Sequence, residues 1–122
     1  MKKKVLVIDD NTHILEAVEL ILTTEDYDVH SRTDITDIVN YTIKLHPSVI
    51  LLDLLLSGKS GQDAATLLKK DNKTKDIPII IISAHPSAES TAKKVGADGF
   101  LAKPFDISDL LSFVEKYSSS TK

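Results

Sequence analysis

The chain has 122 residues, 27% of them charged and 42% hydrophobic, a size that holds one domain and excludes a second folded unit. It contains no cysteine, which excludes disulfides and thiolate metal sites. With 15 basic and 18 acidic residues its net charge is -3, and this argues against direct binding to nucleic acid, which normally needs a basic excess.

The N-terminus resembles the start of a signal peptide, because three lysines precede the apolar run Val5–Ile8. Asp9 and Asp10 interrupt that run before it is long enough for a signal peptide or a membrane segment. We therefore expect a cytoplasmic protein that does not bind membranes.

Five short strand-like segments alternate with segments of helical period. The predicted strands are, in chain order, Lys4–Asp9, Val29–Arg32, Val49–Asp53, Ile77–Ser83 and Gly99–Ala102. The first, third and fourth contain continuous runs of Val, Ile and Leu, which are typical of strands covered by helices on both faces.

Between the strands, apolar residues recur at the 3.6-residue spacing of amphipathic helices. The apolar stripes are Ile14, Leu15, Val18, Ile21 and Leu22; Ile35, Ile38, Val39 and Ile43; Ala64, Ala65, Leu67 and Leu68; Ala88, Ala92 and Val95; and Ile107, Leu110, Leu111 and Val114. Asp106 can cap the last helix, with Phe105 and Leu110 as a hydrophobic staple. The folded core is expected over residues 3–117, with a tail at 118–122.

Five consecutive βα units with short connections predict a single doubly wound α/β domain around a five-stranded parallel sheet. In such sheets, ligands bind in the crevice at the carboxyl ends of the strands. The residues at those ends are therefore the candidate functional residues.

Three carboxylates, a hydroxyl and an ammonium group stand at the predicted strand ends. Asp9 and Asp10 follow the first strand, Asp53 ends the third, Ser83 ends the fourth and Lys103 follows the fifth. Carboxylates brought together repel one another and favour a hard divalent cation, Mg²⁺ or alternatively Mn²⁺. With a phosphoryl group held there, the Asp53 carboxylate could attack phosphorus and form an acyl phosphate.

These motifs resemble the receiver domains of bacterial two-component response regulators, over Lys3–Tyr117. The resemblance is carried by Val5–Asp10, Val49–Leu54 with Gly61, Ile80–Ala84 and Gly96–Phe105. It implies a CheY-like, flavodoxin-like sheet with strand order 2-1-3-4-5. It also implies a signalling switch in a phosphorelay rather than an enzyme in the usual sense.

The resemblance implies specific roles for the residues at the strand ends. Asp53 would accept a phosphoryl group from a phosphohistidine on a sensor histidine kinase or histidine phosphotransfer protein. Asp10, Asp53 and the backbone carbonyl of Leu55 would bind Mg²⁺, with Asp9 acting through metal-bound water. Lys103 would pair with the phosphoryl group.

The resemblance also implies a switch. Ser83 and Phe100 would move on phosphorylation, changing the surface formed by the fourth helix, fifth strand and fifth helix. That surface would meet a downstream protein target or effector domain, or form a phosphorylation-linked dimer. The Lys103–Pro104 peptide bond would be cis. Two residues depart from the family pattern, since Ser57 replaces a common Pro and Phe100 a common Tyr.

Other readings remain open. Gly58-Lys59-Ser60 looks like the end of a phosphate-binding loop, but Asp53 occupies the position where that loop needs Gly. A phosphatase of the haloacid dehalogenase type also uses an Asp nucleophile, but it has Asp-x-Asp, and the second position here is Leu55. A phosphorylation-independent interaction domain is the remaining alternative.

Overall fold

The computed structural model describes residues 2–56 and 59–119 of the chain. Its main sheet contains five parallel strands in the order β2-β1-β3-β4-β5, as the resemblance implied. The strands are β1 (Lys4–Ile8), β2 (Asp28–Arg32), β3 (Val49–Asp53), β4 (Ile79–Ser83) and β5 (Gly99–Ala102). The helices are α1 (Thr12–Thr24), α2 (Ile38–Leu45), α3 (Gly61–Lys70), α4 (Ala88–Lys94) and α5 (Ile107–Ser119).

The sheet is buried on both faces because the side chains of its inner strands alternate between two helical layers. Leu6, Ile50 and Ile81 belong to one cluster, with α2, α3 and α4. Val7 and Leu51 belong to the other, with α1 and α5. Full burial of such a side chain contributes about 1.5–3 kcal/mol, so the continuous hydrophobic runs stabilise both layers at once.

Strand β4 and helix α2 begin later than the sequence predicts. Ile77 is buried but lies outside β4, and Pro78, which has no N–H to donate, separates it from the strand. Helix α2 begins at Ile38 rather than near Ile35, because Asp37 at its start has a left-handed φ of 54°.

Helices α4 and α5 differ in how closely they follow the predicted pattern. Helix α4 has only 7 residues, in agreement with its weak apolar pattern. Helix α5 continues to Ser119, and Ser118 is buried, so the helix includes the first part of the predicted tail. The structure also has a short antiparallel ribbon that the sequence did not predict, in which Leu55–Leu56 pairs with Lys59–Ser60.

None of the helices within residues 2–56 and 59–119 combines the length and apolar character needed to cross a membrane.

Candidate functional site

The sheet register brings the candidate residues to one edge. Ile8 pairs with Leu52, so Asp9, the next residue along, stands beside Asp53 at the end of β3. Ser83 ends β4 and pairs with Ala102, which directly precedes Lys103. Residues from four separate strands therefore meet at the carboxyl edge, as the alternation of elements predicted.

Asp9, Asp10 and Asp53 form an acidic cluster in which one carboxylate oxygen from each lies within 4.8 Å of the others. Asp9 is 1% and Asp53 6% exposed, whereas Asp10 is exposed. Burial strengthens the mutual repulsion of such charges, so the cluster needs positive charge nearby. The ligand set, three carboxylates without nitrogen or sulfur, is the type that Mg²⁺ prefers.

Lys103 supplies positive charge from within the chain. Its Nζ atom donates a hydrogen bond to Asp9 Oδ2 across 3.0 Å and lies 3.6 Å from Asp53 Oδ2. The lysine side chain is only 18% exposed, so water screens these contacts less than it would on an open surface. The ammonium group thus neutralises part of the negative charge of Asp9 and Asp53.

Both oxygens of Asp9 are engaged. While Oδ2 meets Lys103, Oδ1 accepts a hydrogen bond from the backbone N–H of Asn11 at 2.9 Å. Asn11 in turn caps α1, because its Oδ1 accepts from the N–H groups of His13 and Ile14. The cap therefore holds the turn after β1, and with it the Asp9 carboxylate, in a fixed orientation.

A cleft above the cluster is lined by Asp53, Ser83, Ala84, His85, Pro86 and Lys103. The Ser83 Oγ atom accepts a hydrogen bond from the backbone N–H of His85 at 3.1 Å, which leaves its own proton available for donation. The backbone N–H of Lys103 donates to the Ser83 carbonyl at 3.0 Å and ties the ends of β4 and β5 together. The cleft thus combines the Asp53 carboxylate with a hydroxyl and an ammonium donor.

The remaining predicted residues lie around this centre. Phe100 is half-buried and packs against the cluster that contains Ala88 and Ala92 of α4. The Lys103–Pro104 peptide bond is cis, the isomer that the resemblance implied. The role of the Leu55 backbone carbonyl as a Mg²⁺ ligand stays a prediction, and Ser57, the departure from the common Pro, lies outside the described residues.

The sequence analysis missed two residues that shape the site. Asn11 carries a recognisable signal, since Asn directly before an apolar helical stripe marks a helix start. Gly61 was noted only as part of a family motif. Its backbone N–H donates to the Leu54 carbonyl at 2.9 Å, and this contact holds the start of α3 against the end of β3.

Residues 5–115 match the family model of the response regulator receiver domain. The chain belongs to this family. Among solved structures, it is similar to the chemotaxis response regulator CheY4 of Vibrio cholerae, with 27% identity, a TM-score of 0.87, and coverage of 96% of this chain and 99% of that one. The receiver domain of NtrX from Brucella abortus is 26% identical, with a TM-score of 0.86 and coverage of 96% and 99%.

A longer relative places the same fold within a larger chain. The structure of Brucella abortus NtrX in complex with ATP is 27% identical and has a TM-score of 0.87; the match covers 98% of this chain and 28% of that one. Membership of the receiver family identifies the protein as a signalling switch of the two-component type.

Proposed function

We propose that this receiver domain accepts a phosphoryl group on Asp53 from a phosphohistidine of a sensor histidine kinase or histidine phosphotransfer protein. The observation that carries the proposal is the placement of Lys103, whose ammonium group lies 3.6 Å from an Asp53 oxygen at the border of an open cleft. A phosphoryl group on Asp53 would enter that cleft and meet the ammonium group.

The reaction needs little from the protein beyond positioning and charge. A carboxylate oxygen of Asp53 forms a bond to phosphorus as the bond from phosphorus to the donor imidazole nitrogen breaks, and the imidazole leaves with the electron pair. The Lys103 ammonium and the Ser83 hydroxyl can donate hydrogen bonds to the phosphoryl oxygens, over which the negative charge of the transition state is spread.

Mg²⁺ fits the acidic cluster, because three carboxylate oxygens within 4.8 Å match its preferred ligands. Asp10 and Asp53, with the backbone carbonyl of Leu55, would hold the ion directly. Asp9, whose two oxygens each accept a hydrogen bond, would act through a metal-bound water molecule. When bound, the ion would neutralise charge on the phosphoryl oxygens.

An apolar strip beside the cleft supports docking of the phosphoryl donor. It is lined by Ile14, Ala84, Lys103, Pro104 and Phe105, and it shares Ala84 and Lys103 with the cleft over Asp53. A helical partner whose phosphohistidine is surrounded by apolar residues would cover this strip while its imidazole reaches Asp53.

Ser83 and Phe100 would carry the effect of phosphorylation to the surface that binds other proteins. A phosphoryl oxygen that accepts a hydrogen bond from the Ser83 hydroxyl would draw Ser83 towards the cleft, and the half-buried Phe100 ring would move further inward. The surface of α4, β5 and α5 would then bind a downstream protein or effector domain, or a second phosphorylated copy.

Mass spectrometry tests the phosphorylation site. Acetyl phosphate with Mg²⁺ should add one phosphoryl group to the wild-type protein, and Asp53→Asn should abolish the addition. Asp63→Asn, an exposed residue in the first turn of α3, is the matched control and should be phosphorylated normally. Equal phosphorylation of Asp53→Asn and wild type would contradict the proposal, and continuous release of phosphate from added phosphate esters would favour a phosphatase.

A further inference from the structure

Strand β2 forms one edge of the main sheet, because the strand order is β2-β1-β3-β4-β5. Its only strand neighbour among the described residues is β1, which it meets in parallel register. All five residues of β2 are partly exposed, whereas the inner strands β3 and β4 are buried throughout. One side of the β2 backbone therefore faces away from the sheet.

The backbone groups on that outer side belong to Val29 and Ser31. The Asp28 N–H donates to the Lys3 carbonyl, and the Arg32 carbonyl accepts from the residue that follows β1, so every second residue from Asp28 onwards turns towards β1. The N–H and C=O groups of Val29 and Ser31 consequently point outwards. Within the described part of the chain they have no hydrogen-bond partner.

The side chains of β2 carry opposite charges at the two ends of one face. Asp28, His30 and Arg32 share the face of the sheet that α2 covers. His30 is in register with Leu6, whose side chain belongs to that layer. The Arg32 guanidinium lies 4.5 Å from the centre of the Tyr41 ring in α2. The strand thus begins with a carboxylate and ends with a guanidinium on the same face.

An antiparallel second copy of β2 fits both the backbone and the charges. With His30 of each copy at the two-fold axis, Val29 of one copy lies opposite Ser31 of the other, and the two residues exchange both N–H···O=C bonds. Asp28 of each copy then lies opposite Arg32 of the other. These are non-hydrogen-bonded pairs, in which the side chains are closest, so the opposite charges attract.

Charged residues on an edge strand more commonly prevent association than support it. Here the antiparallel arrangement joins unlike charges, and each group keeps atoms available for a second copy. The Arg32 Nη2 atom donates to Asp34 and Thr36, while its other nitrogen atoms have no hydrogen-bond partner among the described residues. Asp28 directs only its Oδ1 atom to His30, at 3.2 Å. Pairing therefore does not require these internal contacts to break.

We infer that β2 is an interaction surface for a second copy of this chain, and that two copies join their sheets through antiparallel β2 strands. The inference does not depend on the proposed function. The cleft over Asp53 stays open in such a dimer, and β5 lies at the opposite edge of the sheet. The dimer is therefore compatible with phosphorylation and with binding to the α4–β5–α5 surface.

Analytical ultracentrifugation at about pH 8, where histidine is neutral, tests the charge pairs. We expect wild type to dimerise without a phosphoryl donor, and Asp28→Lys and Arg32→Glu each to raise the dissociation constant at least about tenfold. A mixture of the two variants should recover wild-type association, because both pairs in the mixed dimer again join opposite charges. Asp76→Lys and Lys73→Glu make the same charge changes in the exposed turn before β4 and should leave dimerisation unchanged.

A single cysteine tests the register of the pairing. The chain contains no cysteine, so His30→Cys introduces its only thiol. Two residues that face each other at the axis have Cα atoms about 4.5 Å apart, within the range of a disulfide, and oxidised glutathione should link the two copies. Thr33→Cys, exposed just after β2, would stand about 20 Å from its counterpart along the strands and should stay unlinked.

The inference is wrong if wild type stays monomeric up to about 1 mM, a concentration that detects even weak association. It is equally wrong if mixing Asp28→Lys with folded Arg32→Glu restores nothing, or if dimerisation requires phosphorylation of Asp53. Circular dichroism establishes whether each variant is folded. Should Arg32→Glu fail to fold, the comparison of His30→Cys with Thr33→Cys decides alone, and equal linking of the two would overturn the proposed register.

Discussion

The backbone of Gly61 passes so close to Asp53 that a Cβ atom added to Gly61 would lie 2.2 Å from the Asp53 carbonyl oxygen. Two Leu54 backbone atoms would also lie within 3.0 Å of that Cβ atom. The end of β3 and the start of α3 are therefore packed at a distance that only glycine permits at this position.

Replacing Gly61 by Ala should destabilise the fold and displace Asp53. The added methyl group meets backbone atoms, which cannot rotate away, and overpacking of this kind costs about 1–3 kcal/mol. Urea denaturation should show the loss, and phosphorylation by acetyl phosphate should slow. Gly99→Ala is the control, because its Cβ atom would meet the Tyr117 ring, a side chain that can move. If Gly61→Ala lowers the free energy of unfolding by no more than Gly99→Ala does, the close approach of Gly61 to Asp53 does not constrain the site.

Replacing Lys103 by Met should weaken both folding and phosphorylation. The buried Asp9 carboxylate loses its ion pair, and we expect a loss of about 2 kcal/mol in the free energy of unfolding. Added Mg²⁺ should raise the melting temperature of Lys103→Met more than that of wild type, because it supplies the missing positive charge. Lys94→Met at the exposed end of α4 should leave stability and phosphorylation unchanged. An equal Mg²⁺ effect on Lys103→Met and wild type would argue against a shared electrostatic role.

Asp98 stabilises the edge of the sheet opposite the site. Its Oδ2 atom accepts hydrogen bonds from Lys69 Nζ at 2.7 Å and from the Ile79 N–H at 2.8 Å, while its own N–H donates to the Ile79 carbonyl. Asp98→Ala should therefore destabilise the fold by about 1–3 kcal/mol.

A double-mutant cycle with Lys69→Met separates the ion pair from the bond to Ile79. We expect the two substitutions to be non-additive, since they remove one shared contact. The phosphorylation rate of the folded variants should match wild type, because this pair anchors the start of β4 and Ser83 lies at its other end. A slower rate at full folding would show that the two edges are coupled.

The turn after β2 contains a carboxyl group with a perturbed pKa. The Thr36 backbone N–H and, secondarily, the Arg32 guanidinium donate hydrogen bonds to Asp34 and lower the pKa of its carboxyl group. These bonds favour the charged form, so their contribution to stability is present above the unfolded pKa and disappears as the pH falls through the folded pKa.

An NMR titration of Asp34 should accordingly give a lower midpoint than the same residue in an unfolded peptide. Arg32→Met should raise the Asp34 pKa only in part, because the backbone bond from Thr36 remains. Asp34→Asn should be less stable than wild type at neutral pH and approach it in acid. A full return of the pKa in Arg32→Met would show that the guanidinium, and not the backbone, dominates.

The sequence predicted the helical layers on both faces of the sheet and the sheet edge that carries the candidate site, because both features depend on local patterns. Continuous runs such as Val49–Leu52 are typical of strands buried on both faces of a parallel sheet, and the polar residues that end such strands then share one edge of that sheet. Asp9, Asp53 and Lys103 could therefore be grouped before any distance was known.

The features that the sequence did not predict depend on contacts between distant segments or on single backbone angles. Nothing local distinguishes Asp98 from other surface acids until Lys69 and Ile79 are placed beside it. The left-handed φ of Asp37, which delays α2, arises in a segment whose apolar spacing is otherwise helical. The Ser87 N–H donates a hydrogen bond to His85 Nδ1, a contact that depends on the geometry of one turn and that the spacing of the two residues does not specify.

The pairing of Lys103 with Asp9 joins residues 94 positions apart. A ribosome therefore releases all three acids of the cluster well before the lysine that balances their charge. A nascent chain in which Asp53 has left the ribosome and Lys103 has not still lacks the positive charge of Lys103 and strand β5. Under the proposed function, competence to receive a phosphoryl group thus comes only after Lys103 has been synthesised, and products truncated before Lys103 should be unable to compete with the complete domain for the same phosphoryl donor.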